Sequence, residues 1–233
     1  MGVTTVGRND PVAAGGEALE RAEWAQARAC FEEAVARGAG PEAWEGLSRA
    51  AWWQGDEAAT LAARERAYRG YRRAGDACRA ARMAAWLASD HLDFRGDDAV
   101  ATAWLRRARA LVDGHEPCAE QGWIALLEAD IALLAAGDPA SAERRARTAL
   151  DVARRVPDVD VEAVGLAILG SALVAAGAVG EGLRRLDEAA ALAVAEEFSE
   201  HASAGWVLCH TVSACADVGD FGRAAQWCRA MHA

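Results

Sequence analysis

The residues best suited to hold a ligand are aromatic and charged side chains that alternate along two predicted helices. They are Arg49, Trp52, Trp53, Trp86 and Asp90. Indole rings offer flat apolar surfaces, while a guanidinium and a carboxylate add polar specificity, so the set suits an organic ligand or a peptide. Tryptophans of this kind also serve as packing residues in helical cores. We predict a binding groove at these five positions, with Trp53 and Trp86 flanking a shared pocket.

A second cluster, Asp90, His91 and Asp93, has residue types that bind metals or act as acid and base. Residues one apart on a helix point about 100° apart, so His91 diverges from Asp90 and no further ligand is evident. A polar contact in the groove or a hydrogen bond between helices is the favoured interpretation. We expect no metal and no cofactor.

The six cysteines include a third candidate, formed with His210 by Cys209 and Cys215. Their spacing matches no zinc template, there is no CxxC pair, and the first ten residues do not form a secretory signal. We therefore interpret the cysteines as reduced thiols in helix cores of a cytoplasmic protein.

All 25 basic residues are arginine, and the chain has no lysine. This excludes Schiff-base enzymes, P-loop NTPases and protein kinases, which depend on lysine. Gly177, Gly180 and Gly182 resemble part of a dinucleotide loop, but no strand precedes them and they fall at a predicted turn. We expect no catalytic residues; an enzyme with its active site in the groove is the less favoured alternative.

The charge balance argues against nucleic acid as a partner. The chain has 35 acidic residues and 25 arginines, and the resulting net charge of −10 would repel a phosphate backbone. Segment 64–82 is locally basic, with seven arginines around Tyr68 and Tyr71. It could grip phosphates, but the solvated outer face of a helix is favoured. Segment 163–180 carries no charge, yet it is rich in alanine and glycine and is interpreted as a buried helix. We expect no duplex DNA binding by this segment alone and no membrane association.

Gly-Asp pairs predict the helix boundaries. They occur at 55–56, 75–76, 96–97, 137–138 and 219–220, at intervals close to multiples of about 20 residues. Glycine can adopt the left-handed backbone that ends a helix, and aspartate can accept hydrogen bonds from the first N–H groups of the next. With 60 alanines in the chain, the pattern indicates consecutive helices.

Small and apolar residues recur at i, i+4 and i+7 after every second turn, starting at Ala27, Ala101, Ala142, Gly182 and Ala224. This spacing places them on one helix face, which must be buried against neighbouring units. The sequence predicts an all-α fold: a right-handed superhelix, or α-solenoid, of about six antiparallel helical hairpins of about 41 residues. The predicted hairpins span 11–39, 41–75, 77–113, 116–157, 159–199 and 200–233, after a disordered tail at 1–10.

The repeats resemble the tetratricopeptide family. Trp44, Leu47 and Ser48 resemble the signature of its first helix, and the Ala27 series with Phe31 and Ala34 resembles its second. The family repeat is typically about 34 residues, so these hairpins are longer. Segments 51–56, 85–92 and 223–228 are similar to the helical arrays of bacterial LuxR-type transcription regulators.

That resemblance implies a non-enzymatic scaffold, the effector-sensing or partner-docking part of a LuxR-type regulator. The ATPase and helix-turn-helix modules of such regulators are not found here, and we expect residues 11–233 to be a repeat domain cut before its output domain. A stand-alone protein-interaction adaptor is the alternative. The sequence does not identify the effector or partner, and it is compatible with a homo-oligomer.

Overall fold

A computed structural model describes residues 10–195, 198 and 200–231, and helices account for most of them. Within these residues there are six helical hairpins and no strand. The chain divides into two units, the first ending at Asp113 and the second beginning at Gly114. The predicted all-α array of hairpins is confirmed, with boundaries within a few residues of those expected.

The first unit contains three hairpins, in which each odd-numbered helix is the first of its pair. Its helices are α1 Pro11–Glu20, α2 Trp24–Ala36, α3 Pro41–Trp53, α4 Glu57–Ala74, α5 Ala77–Arg95 and α6 Asp98–Val112. The predicted tail lies outside the described residues except for Asp10. The carboxylate of Asp10 caps α1 by accepting a hydrogen bond from the Val12 amide at 3.0 Å.

The second unit also contains three hairpins. Its helices are α7 Ala119–Asp130, α8 Pro139–Arg155, α9 Val159–Ala175, α10 Val179–Val194, α11 His201–Asp217 and α12 Phe221–Met231, and the π-helical segment Ile131–Ala135 continues α7. No described helix combines the length and apolar character needed to cross a membrane. The uncharged segment 163–180 forms the buried part of α9 and the turn after it.

The Gly-Asp pairs act as helix boundaries, as predicted. The glycines of all five pairs have positive φ, between 60° and 78°. Asp56, Asp76, Asp138 and Asp220 each accept a hydrogen bond from a backbone amide three residues on, at 2.9 to 3.0 Å. Asp97 is the exception, because its carboxylate lies 3.5 Å from Nδ1 of His91 instead.

The core of the first two hairpins is built around the Phe31 ring. Phe31 is buried with Ala27, Leu47 and Ala50. A Cβ on Gly46 would lie 2.2 Å from this ring, so only glycine lets α3 approach it. Gly46, which lies outside the predicted pattern of small residues, therefore permits the close contact of α3 with Phe31.

In the second unit, α9 is enclosed by its neighbours. Val161, Val164 and Ile168 are fully buried, and α9 packs against α7, α8, α10 and α11. Gly170 of α9 faces Gly182 of α10 so closely that a Cβ on either would collide with the other's carbonyl oxygen. Burial on all sides explains why this helix has an apolar composition without spanning a membrane.

Candidate functional site

Two of the five predicted site residues belong to an aromatic cluster in the first unit. Trp53, at the end of α3, stacks on Trp24 at the start of α2, with ring centroids 4.8 Å apart and planes within 9°. Trp52 meets Trp53 edge-on at 5.0 Å. Trp53 stays 39% exposed. One indole face is thus held by packing while part of the ring remains accessible to a partner.

Two other predicted residues, Trp86 and Asp90, lie on α5 and are joined through Arg64 of α4. The Arg64 guanidinium lies 2.9 Å from an Asp90 carboxylate oxygen and 5.4 Å from the centre of the Trp86 ring. Asp90 is only 1% exposed, so its carboxylate faces Arg64 and not solvent. Arg49, the fifth residue, is half-buried on α3. The shared pocket between Trp53 and Trp86 stays a prediction.

Burial dominates the electrostatics of Asp90. Desolvation raises the pKa of this carboxyl from 3.8 to about 6, the Arg64 charge opposes that rise, and Asp93 adds to it. The attraction of one guanidinium does not fully offset the loss of water around a buried carboxylate. Burial therefore makes the Asp90 carboxyl a weaker acid than an exposed aspartate.

The predicted solvated face of segment 64–82 needs a correction. Ala63 and Ala67 are buried, and most of the arginines are exposed. Arg64, Tyr68 and Tyr71, however, are buried. The hydroxyl of Tyr71 donates a hydrogen bond to Glu45. The sequence pattern placed all the arginines outside because it does not reveal which one finds a buried carboxylate partner.

The Asp90, His91 and Asp93 cluster does not converge on a common point. Asp90 pairs with Arg64 and His91 faces Asp97. Asp93 accepts a hydrogen bond from the Ser89 hydroxyl at 3.0 Å. The contact of Asp90 joins two helices, whereas the contacts of His91 and Asp93 are with residues nearby in the chain.

The second unit contains a groove that sequence reasoning missed. It is an open cavity of about 370 Å³ formed by α9, α11 and the π-helical segment. We call it the first-helix groove and define it by Leu133, Leu134, Ser171, Trp206, His210 and Asp217. Its lining side chains all come from first helices of the three hairpins and the π-helical continuation of α7.

The π-helical segment shapes one wall of this groove. Its wider turn is closed by hydrogen bonds from the Ala136 amide to Ile131 and from the Asp138 amide to Ala132. A π-turn shifts the direction of the side chains that follow it, and such turns often occur at functional sites. Leu134 is 70% exposed as a result of its position here. No pattern in the sequence predicted that the α-helix would change to a π-helix here.

A polar network ties the three first helices together at the base of the groove. His210 of α11 places Nε2 3.1 Å from the Asp130 carboxylate of α7 and Nδ1 3.1 Å from the Ser171 hydroxyl of α9. A neutral ring that donates its Nε2–H to Asp130 leaves Nδ1 to accept from Ser171. His210 is 5% exposed. The network fixes the spacing of α7, α9 and α11.

Asp130, His210 and Ser171 are the residue types of a serine hydrolase, but their setting argues for structure over catalysis. Ser171 lies inside α9, where backbone N–H groups donate to carbonyls one turn earlier. An acyl-transfer site needs preorganised donors for the oxyanion, and an intact helix leaves none at this position. We therefore assign the network to positioning the groove.

The prediction that the cysteines are core thiols is correct only in part. None of the six forms a disulfide. Cys215 is buried, but Cys209 is exposed at the first-helix groove. The two ring nitrogens of His210 face Asp130 and Ser171.

Comparisons with known proteins bear on the fold. No family model matches the chain, and no curated protein matches it. Solved structures do match, among them a chain in the crystal structure of the APC/C hetero-tetramer Cut9-Hcn1, with a TM-score of 0.73 and 16% sequence identity. The alignment covers 95% of this chain and 39% of that chain, so this chain spans well under half the length of its structural relative. The likeness shows a tetratricopeptide-like solenoid fold.

Proposed function

We propose that the chain is a non-enzymatic scaffold that binds a segment of a partner protein in the first-helix groove of its second unit. Tetratricopeptide-like arrays present extended surfaces that suit protein–protein interaction. The observation that carries the proposal is the groove itself. It has a volume of about 370 Å³, an exposed Leu134 on one side and the half-buried Trp206 on the other.

The groove has the properties of a recognition site. Its walls are apolar and aromatic, while the polar groups of Ser171 and His210 lie at fixed positions between them. Trp206 is supported from behind by the buried Trp123, with ring centroids 6.2 Å apart. Rigid aromatic anchors in partly closed pockets are typical of residues that dominate binding energy.

Selection of peptides from a displayed library against the purified chain tests this proposal. Hydrogen exchange on the selected complexes should show new protection in α9, α11 and residues 131–135. The variant Trp206→Ala should weaken binding by about thirtyfold or more, in keeping with the loss of an aromatic anchor. Absence of selected peptides, or protection confined to the second helices, would refute the function.

A second candidate function is the binding of an aromatic effector in the first unit, at Arg49, Trp52, Trp53, Trp86 and Asp90. The observation that favours it is the exposed edge of Trp53 in a rigid stack with Trp24. A screen of aromatic compounds by tryptophan fluorescence, repeated on Trp53→Ala and Trp86→Ala, tests it. Equal quenching of parent and variants would remove this candidate.

We further propose that the scaffold acts as the sensing or docking part of a LuxR-type transcription regulator in the bacterial cytoplasm. The support for this setting is the resemblance of segments 51–56, 85–92 and 223–228, together with the repeat of about 41 residues. Reading the gene beyond Ala233 tests it. A helix-turn-helix encoded there would support the regulator. A gene that encodes no such domain would favour the stand-alone protein-interaction adaptor instead.

A further inference from the structure

We infer that the first-helix groove selects a basic partner segment, one that places an arginine or lysine beside an apolar side chain. This inference rests on the proposed function, because it names the chemistry of the segment bound at the same site. Its support is the distribution of charge in the second unit.

The acidic excess of the chain is concentrated in the second unit. Residues 114–233 contain 18 acidic side chains and 9 arginines. Residues 1–113 contain 17 acidic side chains and 16 arginines. The net charge of −10 therefore arises almost entirely in the unit that has the groove. Long-range attraction accelerates the approach of a basic segment to such a surface.

Within that unit, arginine is confined to the second helices. All nine arginines lie on α8, α10 and α12, and α7, α9, α11 and the π-helical segment contain no arginine. Several of these arginines already pair with acids on their own helix, such as Arg147 with Glu143 and Arg185 with Glu188. The lining of the groove therefore contains the carboxylate of Asp217 and no guanidinium.

The groove lies towards the carboxyl ends of three parallel first helices. Leu134 is near the end of the π-helical segment, Ala175 ends α9 and Asp217 ends α11, and all three line the cavity. The carboxyl end of a helix carries partial negative charge and favours cations. None of α7, α9 and α11 has a basic residue in its last turn to neutralise that charge.

Asp217 supplies a full negative charge at the same place. It is exposed and has no ion-pair partner recorded among the described residues. Leu134, which lines the same groove near the end of the π-helical segment, offers apolar surface that can cover the aliphatic stem of an arginine or lysine. A side chain with an apolar stem and a cationic tip matches this arrangement, and an acidic side chain opposes it.

The test uses the displayed peptides that hydrogen exchange maps to the groove. We expect them to be enriched in arginine or lysine next to leucine or an aromatic residue. For the best peptide, replacing the arginine with citrulline, which keeps the shape and removes the charge, should weaken binding about three- to fivefold, the range for an exposed ion pair. Asp217→Asn should have a similar effect on the arginine peptide and none on the citrulline peptide.

Leu134 gives a matched pair of variants, because its exposed side chain can be changed without disturbing the core. Leu134→Arg should weaken binding of the basic peptide more than Leu134→Glu does. Asp98→Asn, on α6 of the first unit, should leave the affinity for this peptide unchanged. Groove-bound peptides with no basic preference, or equal effects of the two Leu134 variants, would overturn this inference while leaving the docking function in place. Failure to obtain any groove-bound peptide would overturn both.

Discussion

The buried pair of Arg64 and Asp90 should respond unequally to the loss of its two members. Asp90→Asn removes the charge whose burial raises the pKa of this carboxyl and keeps a side chain of the same shape beside Arg64. Arg64→Met instead leaves the Asp90 carboxylate without its counter-ion. At neutral pH we expect the first variant to be less destabilising than the second, because burial already disfavours the ionised form of Asp90.

The magnitude follows from the displacement of the Asp90 pKa from 3.8 to about 6. This displacement corresponds to about 3 kcal/mol against the ionised form in the folded state. Since the folded pKa is raised, the contribution of Asp90 to stability is full below about pH 3.8, declines as pH rises, and is lost above about pH 6. The parent should lose about 3 kcal/mol relative to Asp90→Asn across this window.

Arg64→Met should cost about 3 to 5 kcal/mol at neutral pH, the range for breaking a buried ion pair by removing one partner. The cost should be smaller at about pH 4.5, because Asp90 is then protonated and needs no counter-ion. Both variants concern groups that are at most 7% exposed, so solvent screening is slight.

Chemical denaturation followed by far-UV circular dichroism measures these effects at several pH values from about 4 to 7.5. Repeat arrays need not unfold in one step, so midpoints are compared between variants at the same pH. Asp98→Asn, at an exposed position, serves as the control. A large destabilisation by Asp90→Asn at neutral pH, with no change in its difference from the parent across the window, would refute the reasoning.

Two further pairs of substitutions test the packing by the same denaturation measurement. Gly46→Ala should cost about 1 to 3 kcal/mol because its Cβ would lie 2.2 Å from the Phe31 ring. Gly16→Ala, with no atom within 4 Å, should gain up to about 1 kcal/mol, and equal effects would contradict the close approach at Phe31. Trp123→Ala should cost about 3 to 5 kcal/mol because the ring is 5% exposed. Trp53→Ala should cost about 1 kcal/mol, and a larger loss would make Trp53 a core residue.

The local rules of the chain made the helices and their order predictable. Glycine at positive φ and aspartate at the N-cap act through a few neighbouring atoms, so Gly55, Asp56 and their counterparts could be read from residue types alone. The apolar faces followed from the periodicity of alanine, since residues at i, i+4 and i+7 must share one side of a helix. The hairpins and the all-α class were therefore determined by sequence.

The candidate sites depended on which helices meet. Periodicity placed Trp53 and Trp86 on first helices. Only the folded structure showed that Trp53 stacks on Trp24 and that the buried Asp90 pairs with Arg64. Each of these contacts joins residues more than twenty positions apart, and their energies depend on distances that no local pattern specifies.

The groove of the second unit required the tertiary structure most of all. Asp130, Ser171 and His210 lie about 40 residues apart, each with an unremarkable sequence context. The π-helical segment at residues 131–135 packs against α7 and α8 and leaves Leu134 exposed to solvent. The sequence determined that three first helices exist. Their packing determined that they form a cavity with the Asp217 carboxylate in its lining, because a cavity is a property of the space between elements.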